Sequence, residues 1–331
     1  MIYIKPKFSS ISHDSWSDLY PNSMGMSVFS SPIWQEIIRL ETDMNWNIKF
    51  LKGVDSNNQP KHLPFQVNQD RWGRFNIIGQ PIAYHLTPIE PGVIDETLIQ
   101  SILKNVNHPL TAQFIWALPP WLSYQPQPLT RTSWAGIEKI STRETYVLSI
   151  NDNESAEDYL SRKVNSTSRR YTRQNFKKEL EILSNPTSDI INEYYNLYSR
   201  THSERNWLGN KLTLSFFEHI ATKLDNAGEL IVTKFNNKVV GGGILLYDQH
   251  AVHYYQGTVD REIKEIRPMH ALIYRAIQQA VERKLKYINL GGVNKDNTGL
   301  DRFKRSWGAD SISTSVICWE SRFKRSNLLR Y

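Results

Sequence analysis

Three strand patterns followed by one long amphipathic helix set the strongest limit on the fold. Strand-forming residues are concentrated at 229–236, 239–247 and 250–257, and turn-forming residues separate these segments. Behind Pro268, which suits the first position of a helix, apolar residues recur at helical spacing. The residues of this apolar stripe are Met269, Leu272, Ile273, Ala276, Ile277, Ala280 and Val281. A run of strands that leads into such a helix predicts a mixed α/β unit.

The other segments of the second half complete one order of elements. A helix is expected over 155–181, with Ser155 as its N-cap and Asp158 three residues later. The further segments are a strand at 180–184, helices at 187–204 and 213–225, a strand at 286–291, a short helix at 298–306 and a strand at 313–320. From the first of these strands onward the order is β-α-α-β-β-β-α-β-α-β. This is the element order of the GNAT acyltransferase core.

The first half shows a vaguer version of the same pattern. Strands are expected at 2–6, 46–53, 61–68, 73–79, 111–117 and 144–150, and helices at 31–41 and 94–105. The proline-rich stretch 118–143 is typical of a domain connection or a binding loop. A chain of 331 residues has room for two domains. We therefore predict an α/β fold, mixed α+β, of two tandem GNAT-like units, each a central mixed sheet flanked by helices. Their predicted ranges are 1–150 and 151–312, and the family resemblance given below implies that 313–331 completes the first unit.

The composition excludes several kinds of site and indicates the cellular compartment of the chain. Its one cysteine, Cys318, excludes an internal disulfide and a zinc site built from cysteines. We expect a cytoplasmic protein, because there is no apolar run of membrane-spanning length and no apolar core of a secretory signal. The net charge of +7 is consistent with an anionic partner. No H-E-x-x-H, P-loop or G-x-S-x-G motif occurs, and no cofactor or metal is expected.

The segment 286–309 carries the most informative chemistry. A strand leads into Gly291-Gly292, where the backbone can turn sharply or approach a ligand. A polar loop and the basic stretch 302–305 follow. Ligands of open α/β sheets sit beyond the carboxyl ends of strands, and this loop is in such a place. The same residues also fit a glycine turn followed by a solvated basic helix, and the local pattern leaves both interpretations open.

This segment resembles the C-terminal signature of the FemXAB family. The shared features are a strand, Leu290-Gly-Gly-Val293, a polar loop, Gly299-Leu300, Phe303-Lys304 and Trp307-Gly308. Weaker similarities are found at Leu197-Tyr198 to Arg205, Phe216-Phe217, Tyr254–Gly257 and Arg267-Pro268. The resemblance covers 155–310 well and the first half only faintly. It implies two GNAT-like units and an aminoacyl-tRNA-dependent transferase, as in peptidoglycan cross-bridge synthesis, or one of the wider GNAT-like relatives.

The resemblance also implies roles for individual residues. Lys304 falls on a lysine held near the reacting carbonyl, and Phe303 is its neighbour in the signature. A fixed cation there would stabilise the oxyanion that forms when an amine attacks an ester. A substrate-binding role is implied for Arg205, Tyr255, Tyr254, Arg267 and Asn294. From the residues alone, Arg205 also fits a surface arginine at a helix end, and Tyr255 also fits a packing residue of the sheet.

The turn before the long helix lacks the features of a CoA site. GNAT proteins that use acetyl-CoA carry a Gln/Arg-x-x-Gly-x-Gly/Ala turn, whose backbone N–H groups reach the pyrophosphate. Here 264–271 reads Lys-Glu-Ile-Arg-Pro-Met-His-Ala, which contains no glycine, and Pro268 removes one donor. Binding of free CoA in the usual manner is therefore disfavoured.

The helix expected at 155–181 is strongly basic. Between 162 and 178 it holds seven basic residues and no acidic residue. On one continuous helix, Arg162, Arg169 and Arg173 would lie roughly on the same face. This pattern predicts a surface that follows the phosphates of a tRNA acceptor arm, and a solvated basic face is the alternative. The residues assigned to tRNA binding are Arg162, Lys163, Arg169, Arg170 and Arg173.

These observations lead to one principal prediction and two alternatives. The principal prediction is an enzyme that moves an aminoacyl group from aminoacyl-tRNA to an amine of a small or peptidic acceptor, forming an amide bond. The first alternative is an N-acyltransferase that uses acyl-CoA or a carrier-bound acyl donor on an amino sugar or a natural-product amine. The second is a non-catalytic module that binds RNA or a glycan, against which the retained Phe303 and Lys304 argue. The amino acid, the acceptor and the oligomeric state are left open.

Overall fold

The chain divides into two compact units. A computed structural model describes residues 8–9, 11–22, 27–41, 47–79, 94–122, 126–133, 135–204, 211–263, 265–293 and 296–322. The described residues up to Glu144, together with those from Ser313 onward, form the first unit. Those from Thr145 to Ile312 form the second unit.

The first unit is a mixed sheet with three helices among its described residues. The helices are α1 (His13–Asn22), α2 (Pro32–Glu41) and α3 (Glu96–Val106). The strands are β1 (Phe8–Ser9), β2 (Asn47–Val54), β3 (Pro60–Gln69), β4 (Phe75–Ile78), β5 (Thr111–Ala117), β6 (Leu129–Thr132), β7 (Gly136–Ser149) and a late strand, Asp310–Ser321. The sheet order is β1-β2-β3-β4-β5, then the late strand, then β7, and β6 pairs with β7. Strands β4 and β5 are parallel, and β1, β2 and β3 pair antiparallel.

Helix α3 illustrates why these segments fold as they do. Asp95 caps the helix by accepting a hydrogen bond from the N–H of Leu98 at 2.8 Å. The buried residues recur at helical spacing and form one apolar face: Leu98, Ile99, Ile102, Leu103 and Val106. This face packs on β2, where Gly53 leaves room for Leu98 and Ile102.

The second unit carries the remaining elements. Its helices are α4 (Ala156–Lys163), α5 (Ser166–Lys177), α6 (Ser188–Glu204), α7 (Leu214–Lys223), α8 (Pro268–Glu282) and α9 (Thr298–Ser306). Its strands are the end of β7, β8 (Glu181–Ser184), β9 (Gly228–Phe235), β10 (Lys238–Tyr247), β11 (Ala251–Val259) and β12 (Tyr287–Asn289), and the late strand is β13. The order across the sheet is β7-β12-β11-β10-β9-β8. Strands β11 and β12 are parallel, and the other neighbours pair antiparallel. The predicted α/β class, with mixed sheets flanked by helices, is confirmed.

The predicted helix over 155–181 is wrong in one respect, because it is two helices. Ser155 caps α4 with the capping box expected from Asp158, but the backbone of Val164 is extended. Asn165 then caps α5 by accepting from the N–H of Ser168 at 2.8 Å. The side chain of Val164 is buried, so the break places an apolar residue in the core between two basic segments.

Other differences concern the segments with weak patterns. The predicted connection 118–143 contains β6 and much of β7, and helix α1 was not predicted. The strand expected at 286–291 ends at Asn289, because Gly291 takes a φ of +71° and the chain turns away. The strand expected at 2–6 lies outside the described residues. Among the residues that the structure describes, no helix is both long and apolar enough to cross a membrane.

Candidate active site

Strand β12 ends at Asn289 while β11 continues, so beyond His253 one edge of β11 has no strand beside it in the described part of the chain, and this is called the open edge. The parallel pairing with β12 covers only Ala251 to His253 of β11, whereas β11 continues to Val259. On its other side β11 stays paired with β10, and the register shifts so that Tyr255 falls outside the pairing. Such a bulge changes the direction of the side chain next to it. Ligands of α/β sheets bind beyond the carboxyl ends of strands, and the open edge beside the end of β12 is such a place among the described residues.

Tyr254 and Tyr255 lie on either side of this change in register. The hydroxyl of Tyr254 lies 3.1 Å from the sulfur of Met269 and packs over Gly257, where a Cβ atom would collide with it. Both tyrosines are partly buried. Tyr254 therefore connects the strand to the start of α8, and Tyr255 is the residue that the bulge displaces.

The glycine turn after β12 is held by hydrogen bonds from several directions. The side-chain oxygen of Asn289 accepts from the N–H of Gly291 at 2.8 Å. The carbonyl of Gly291 accepts from the N–H of Tyr146 at 3.0 Å, and the N–H of Leu290 donates to the carbonyl of Tyr146 at 2.8 Å. The turn is thus fixed against the end of β7.

Lys304 reaches this turn from α9 and uses all three of its N–H donors on it. Its Nζ atom donates to the carbonyl oxygens of Leu290 at 2.6 Å, Gly291 at 2.9 Å and Gly292 at 2.8 Å. The residue is 5% exposed, and burial lowers the pKa of Lys304 to about 7. The three carbonyl oxygens oppose this shift, because they stabilise the ammonium form. The role near a reacting carbonyl that the family resemblance implies would require this ammonium to give up one of its backbone partners.

Phe303 lies on the other side of α9 in an aromatic cluster. Its ring packs edge-on against His270 at a centroid distance of 5.3 Å, and His270 also contacts Tyr171 and Trp307. Burial lowers the pKa of His270 to about 4. The Nδ1 atom of His270 and the indole N–H of Trp307 are buried without a hydrogen-bond partner in the described part of the chain. Phe303 therefore contributes packing around the first turn of α8.

Helix α5 is attached to the start of α8. The side chain of Asn175 accepts from the N–H of Arg267 and donates to its carbonyl, both at 2.9 Å. The Arg267 guanidinium lies 5.1 Å from the centre of the Tyr171 ring. Arg267, predicted to bind substrate, thus connects the basic helix to the long helix.

Basic residues on one face of α5 line an open groove. The groove has a volume of about 550 Å³, and its lining residues are Ser166, Arg169, Arg170, Arg173, Gln174 and Lys177. The prediction that Arg162 shares a face with Arg169 and Arg173 is wrong, because Arg162 belongs to α4. Arg162 is held by Glu154 in two hydrogen bonds of 2.6 Å.

The other predicted tRNA contacts differ in their surroundings. One N–H of Arg169 donates to the carbonyl of Ser161 at 2.6 Å. Arg173 pairs with Glu157 at 3.7 Å, where both side chains are exposed, so solvent screens this pair. Lys163 and Arg170 are exposed, and the Arg170 guanidinium lies 5.2 Å from the centre of the Tyr171 ring. Arg205 and Asn294, both predicted to bind substrate, lie outside the described residues.

A buried polar chain behind the glycine turn was not predicted. Nε2 of His253 lies 2.7 Å from a carboxylate oxygen of Asp248, and Nδ1 lies 3.4 Å from the side-chain nitrogen of Asn289. The hydroxyl of Thr145 donates to Asn289 at 3.2 Å. No local pattern connects these residues, because Asn289 meets His253 only through the parallel register of β11 and β12.

The comparisons define the class of protein first. Residues 161–305 match the acetyltransferase (GNAT) domain family. The chain is therefore an acyltransferase with a GNAT-type domain in its second unit. No curated protein matches the sequence.

Solved structures extend the likeness to both units. The structure of FemX matches with a TM-score of 0.61 and 13% identity, over 94% of this chain and 96% of the other. The C-terminal domain of a putative lysylphosphatidylglycerol synthetase from Agrobacterium fabrum matches with a TM-score of 0.56 and 11% identity, over 93% and 92%. A tandem GNAT protein from the clavulanic acid biosynthesis pathway matches with a TM-score of 0.52 and 9% identity, over 95% and 98%. The fold is therefore the FemX-like tandem GNAT fold, as the sequence resemblance predicted.

Proposed function

We propose that the protein transfers an aminoacyl group from aminoacyl-tRNA to an amine. The observation that carries this proposal is the basic groove of α5, which adjoins the start of α8 through Asn175 and Tyr171. Three arginines and one lysine line the groove and suit the phosphates of a nucleic-acid backbone. FemX, and a synthetase whose name denotes a lysyl group on a lipid, are similar in fold and support an aminoacyl donor.

The start of α8 argues against acetyl-CoA as the donor. In acetyl-CoA-dependent GNAT proteins, this place offers backbone N–H groups to a pyrophosphate. Here the N–H of Arg267 is bonded to Asn175 at 2.9 Å, and Pro268 has no N–H. A pyrophosphate at this place would thus find two backbone N–H donors fewer. The positive charge nearby is carried by the side chains of the α5 groove, which suit an extended chain of phosphates.

The proposed reaction requires mainly positioning of two reactants. The amine nitrogen attacks the carbonyl carbon of the ester, and the C–O bond to the terminal ribose breaks. The proton lost by the amine ends on the released ribose hydroxyl. Because the ester is already activated, alignment of amine and ester supplies much of the rate without a covalent enzyme intermediate.

The open edge of β11 is the proposed place of the reaction. Tyr254 and Tyr255 border this edge from the bulge, and the Gly291-Gly292 turn follows the end of β12. The acceptor is a small or peptidic amine, for which Tyr255 and the start of α8 supply the walls. Arg205 and Asn294 stay assigned to acceptor binding by resemblance alone.

Mass spectrometry of a transfer reaction tests this proposal. The protein is incubated with a pool of charged tRNAs and candidate amines, and with acetyl-CoA in a parallel reaction. We expect an amide product whose mass exceeds that of the amine by one aminoacyl residue. The product should disappear when the tRNAs are deacylated beforehand. Acyl transfer from acetyl-CoA, with none from charged tRNA, would refute the proposal and favour the CoA-dependent alternative.

A further inference from the structure

We propose that Lys304 is a positioning residue, an internal ammonium around which residues 290–292 fold, and not a donor to the reacting carbonyl. The part of this inference that concerns turnover rests on the proposed function. The part that concerns the turn rests on the geometry of the second unit alone.

The coordination of the ammonium group carries the inference. Three successive carbonyl oxygens converge on one nitrogen at 2.6–2.9 Å. An ammonium has three N–H donors and no acceptor, so its hydrogen-bonding capacity is filled. The face of the Tyr146 ring adds a fourth favourable contact, with its centre 5.4 Å from Nζ. The ammonium in these surroundings stabilises the three carbonyls of residues 290–292, which form a backbone cage around it, and it has no N–H left for a ligand.

This backbone cage depends on Lys304 because the three carbonyls point toward the ammonium group. Residues in a regular strand direct successive carbonyls to opposite sides, whereas the positive φ of Gly291 lets three of them converge. Two of these hydrogen bonds are buried, and removal of the ammonium leaves the carbonyl of Leu290 without its donor, whereas that of Gly291 keeps the N–H of Tyr146. A turn with such an unpaired oxygen rearranges until the oxygen meets water or another donor.

The other contacts of the turn come from the sheet and hold its opposite side. Asn289 binds the N–H of Gly291, and Asn289 is itself placed by His253 and Thr145. Asp248 fixes His253 through one oxygen, and its other oxygen accepts two backbone N–H groups. Lys304 is the side chain through which α9 holds the turn. Its ammonium therefore sets the conformation of residues 290–292 at the end of β12.

Replacement of Lys304 by alanine, with a cation added back, tests the inference. Lys304→Ala removes the part of the side chain that n-propylammonium reproduces. Tetramethylammonium at the same ionic strength is the control ion, because it has no N–H donor. Arg302→Ala is the matched variant, since Arg302 is an exposed cation on the same helix. Lys304→Met, which keeps most of the aliphatic chain and leaves no room for propylammonium, replaces Lys304→Ala in the melting and exchange measurements if that variant does not fold.

Two measurements on the protein alone come first. From the usual cost of one unpaired buried carbonyl and of lost hydrogen bonds to a charged group, we expect the melting temperature of Lys304→Ala to fall by roughly 5–15 °C. Propylammonium should reverse part of this fall, and tetramethylammonium and the Arg302→Ala variant should change little. Hydrogen exchange at the N–H of Gly291 and of Tyr146 should accelerate at least tenfold in Lys304→Ala. These results need no donor or acceptor, so they stand even if tRNA proves not to be the donor.

The activity measurement separates positioning from a merely structural role. We expect kcat to fall about a hundredfold, as for a reactant displaced by about 1 Å, with KM for the tRNA donor changed less than twofold, because the groove of α5 is untouched. Propylammonium should restore kcat and the melting temperature with the same half-saturating concentration. A variant that melts and exchanges like the native protein, yet loses kcat, would overturn the inference and return Lys304 to the reacting carbonyl.

Discussion

Asn175 and Arg267 exchange two hydrogen bonds of 2.9 Å that tie the basic helix to the long helix of the second unit. The amide of Asn175 satisfies the backbone N–H and the carbonyl of Arg267, at the point where α8 begins. The N-cap residue of α8 makes no side-chain capping bond, so Asn175 supplies the polar contact at this end. One side chain thus fixes the groove next to the helix terminus that acetyl-CoA-dependent GNAT proteins leave open for a pyrophosphate.

We expect Asn175→Ala to lower the free energy of unfolding by about 1–2 kcal/mol, because the partly buried N–H of Arg267 loses its partner, whereas the carbonyl of Arg267 keeps the N–H of His270. Asn175→Asp keeps the acceptor for the N–H of Arg267 and should lose about half as much. Urea unfolding measures the differences, with Thr167→Ala on the exposed part of α5 as the control. Equal stability of Asn175→Ala and the control would show that this connection contributes nothing to the fold.

Acetyl-CoA should leave the melting temperature of the protein unchanged. A ligand at 100 times its dissociation constant adds about 2.7 kcal/mol to the free energy of unfolding, which a melting curve detects readily. Because Pro268 and the bonded N–H of Arg267 leave no open turn, we expect no shift at millimolar acetyl-CoA. A known acetyl-CoA-binding GNAT protein serves as the positive control. A saturable shift at micromolar concentrations would favour a CoA-dependent enzyme.

The salt dependence of tRNA binding should distinguish the arginines of α5 from that of α4. Arg169→Gln and Arg173→Gln should each flatten the plot of log affinity against log salt by roughly 0.7–0.9. Arg162→Gln should leave the slope unchanged, because Glu154 holds that guanidinium in two hydrogen bonds. Filter binding across a salt series measures all three variants. If all three variants keep the slope of the native protein, the arginines of α5 face solvent and do not contact tRNA.

His270 makes the stability of the second unit depend on pH in a defined direction. Its pKa is about 4 in the folded chain, against 6.5 for a histidine in water, so the unfolded chain binds the proton more readily. The stabilising contribution is therefore complete above pH 6.5 and is lost as the pH falls toward 4. Between pH 6.5 and pH 4, the free energy of unfolding of the native protein should fall by about 3 kcal/mol more than that of the His270→Phe variant. Urea unfolding at pH 7.5 and 4.5 checks this, and equal losses would place His270 in contact with solvent.

The sequence was sufficient where short-range physics decides the structure. Helix α9 has the predicted range, and Pro268 begins α8, because caps and proline act on neighbouring residues. The break at Val164 was missed, since a run of arginines and serines hides the one buried apolar residue. The partners of Lys304 and the chain from Asp248 to Asn289 depend on how the turn folds back and on strand register. No pattern within one segment contains that information.

The most direct test of a tRNA donor compares two substrates with one variant. The measurement is kcat/KM for whole aminoacyl-tRNA and for a short aminoacylated mimic of the acceptor end, in the native protein and in the double variant Arg169→Gln, Arg173→Gln. A double variant in the first unit, Arg131→Gln with Lys139→Gln, controls for the change in net charge. We expect kcat/KM for whole tRNA to fall at least tenfold, whereas the mimic reacts as before, because distant phosphates supply affinity only. Unchanged kcat/KM for whole aminoacyl-tRNA in the Arg169→Gln, Arg173→Gln variant would contradict the proposal that tRNA is the donor.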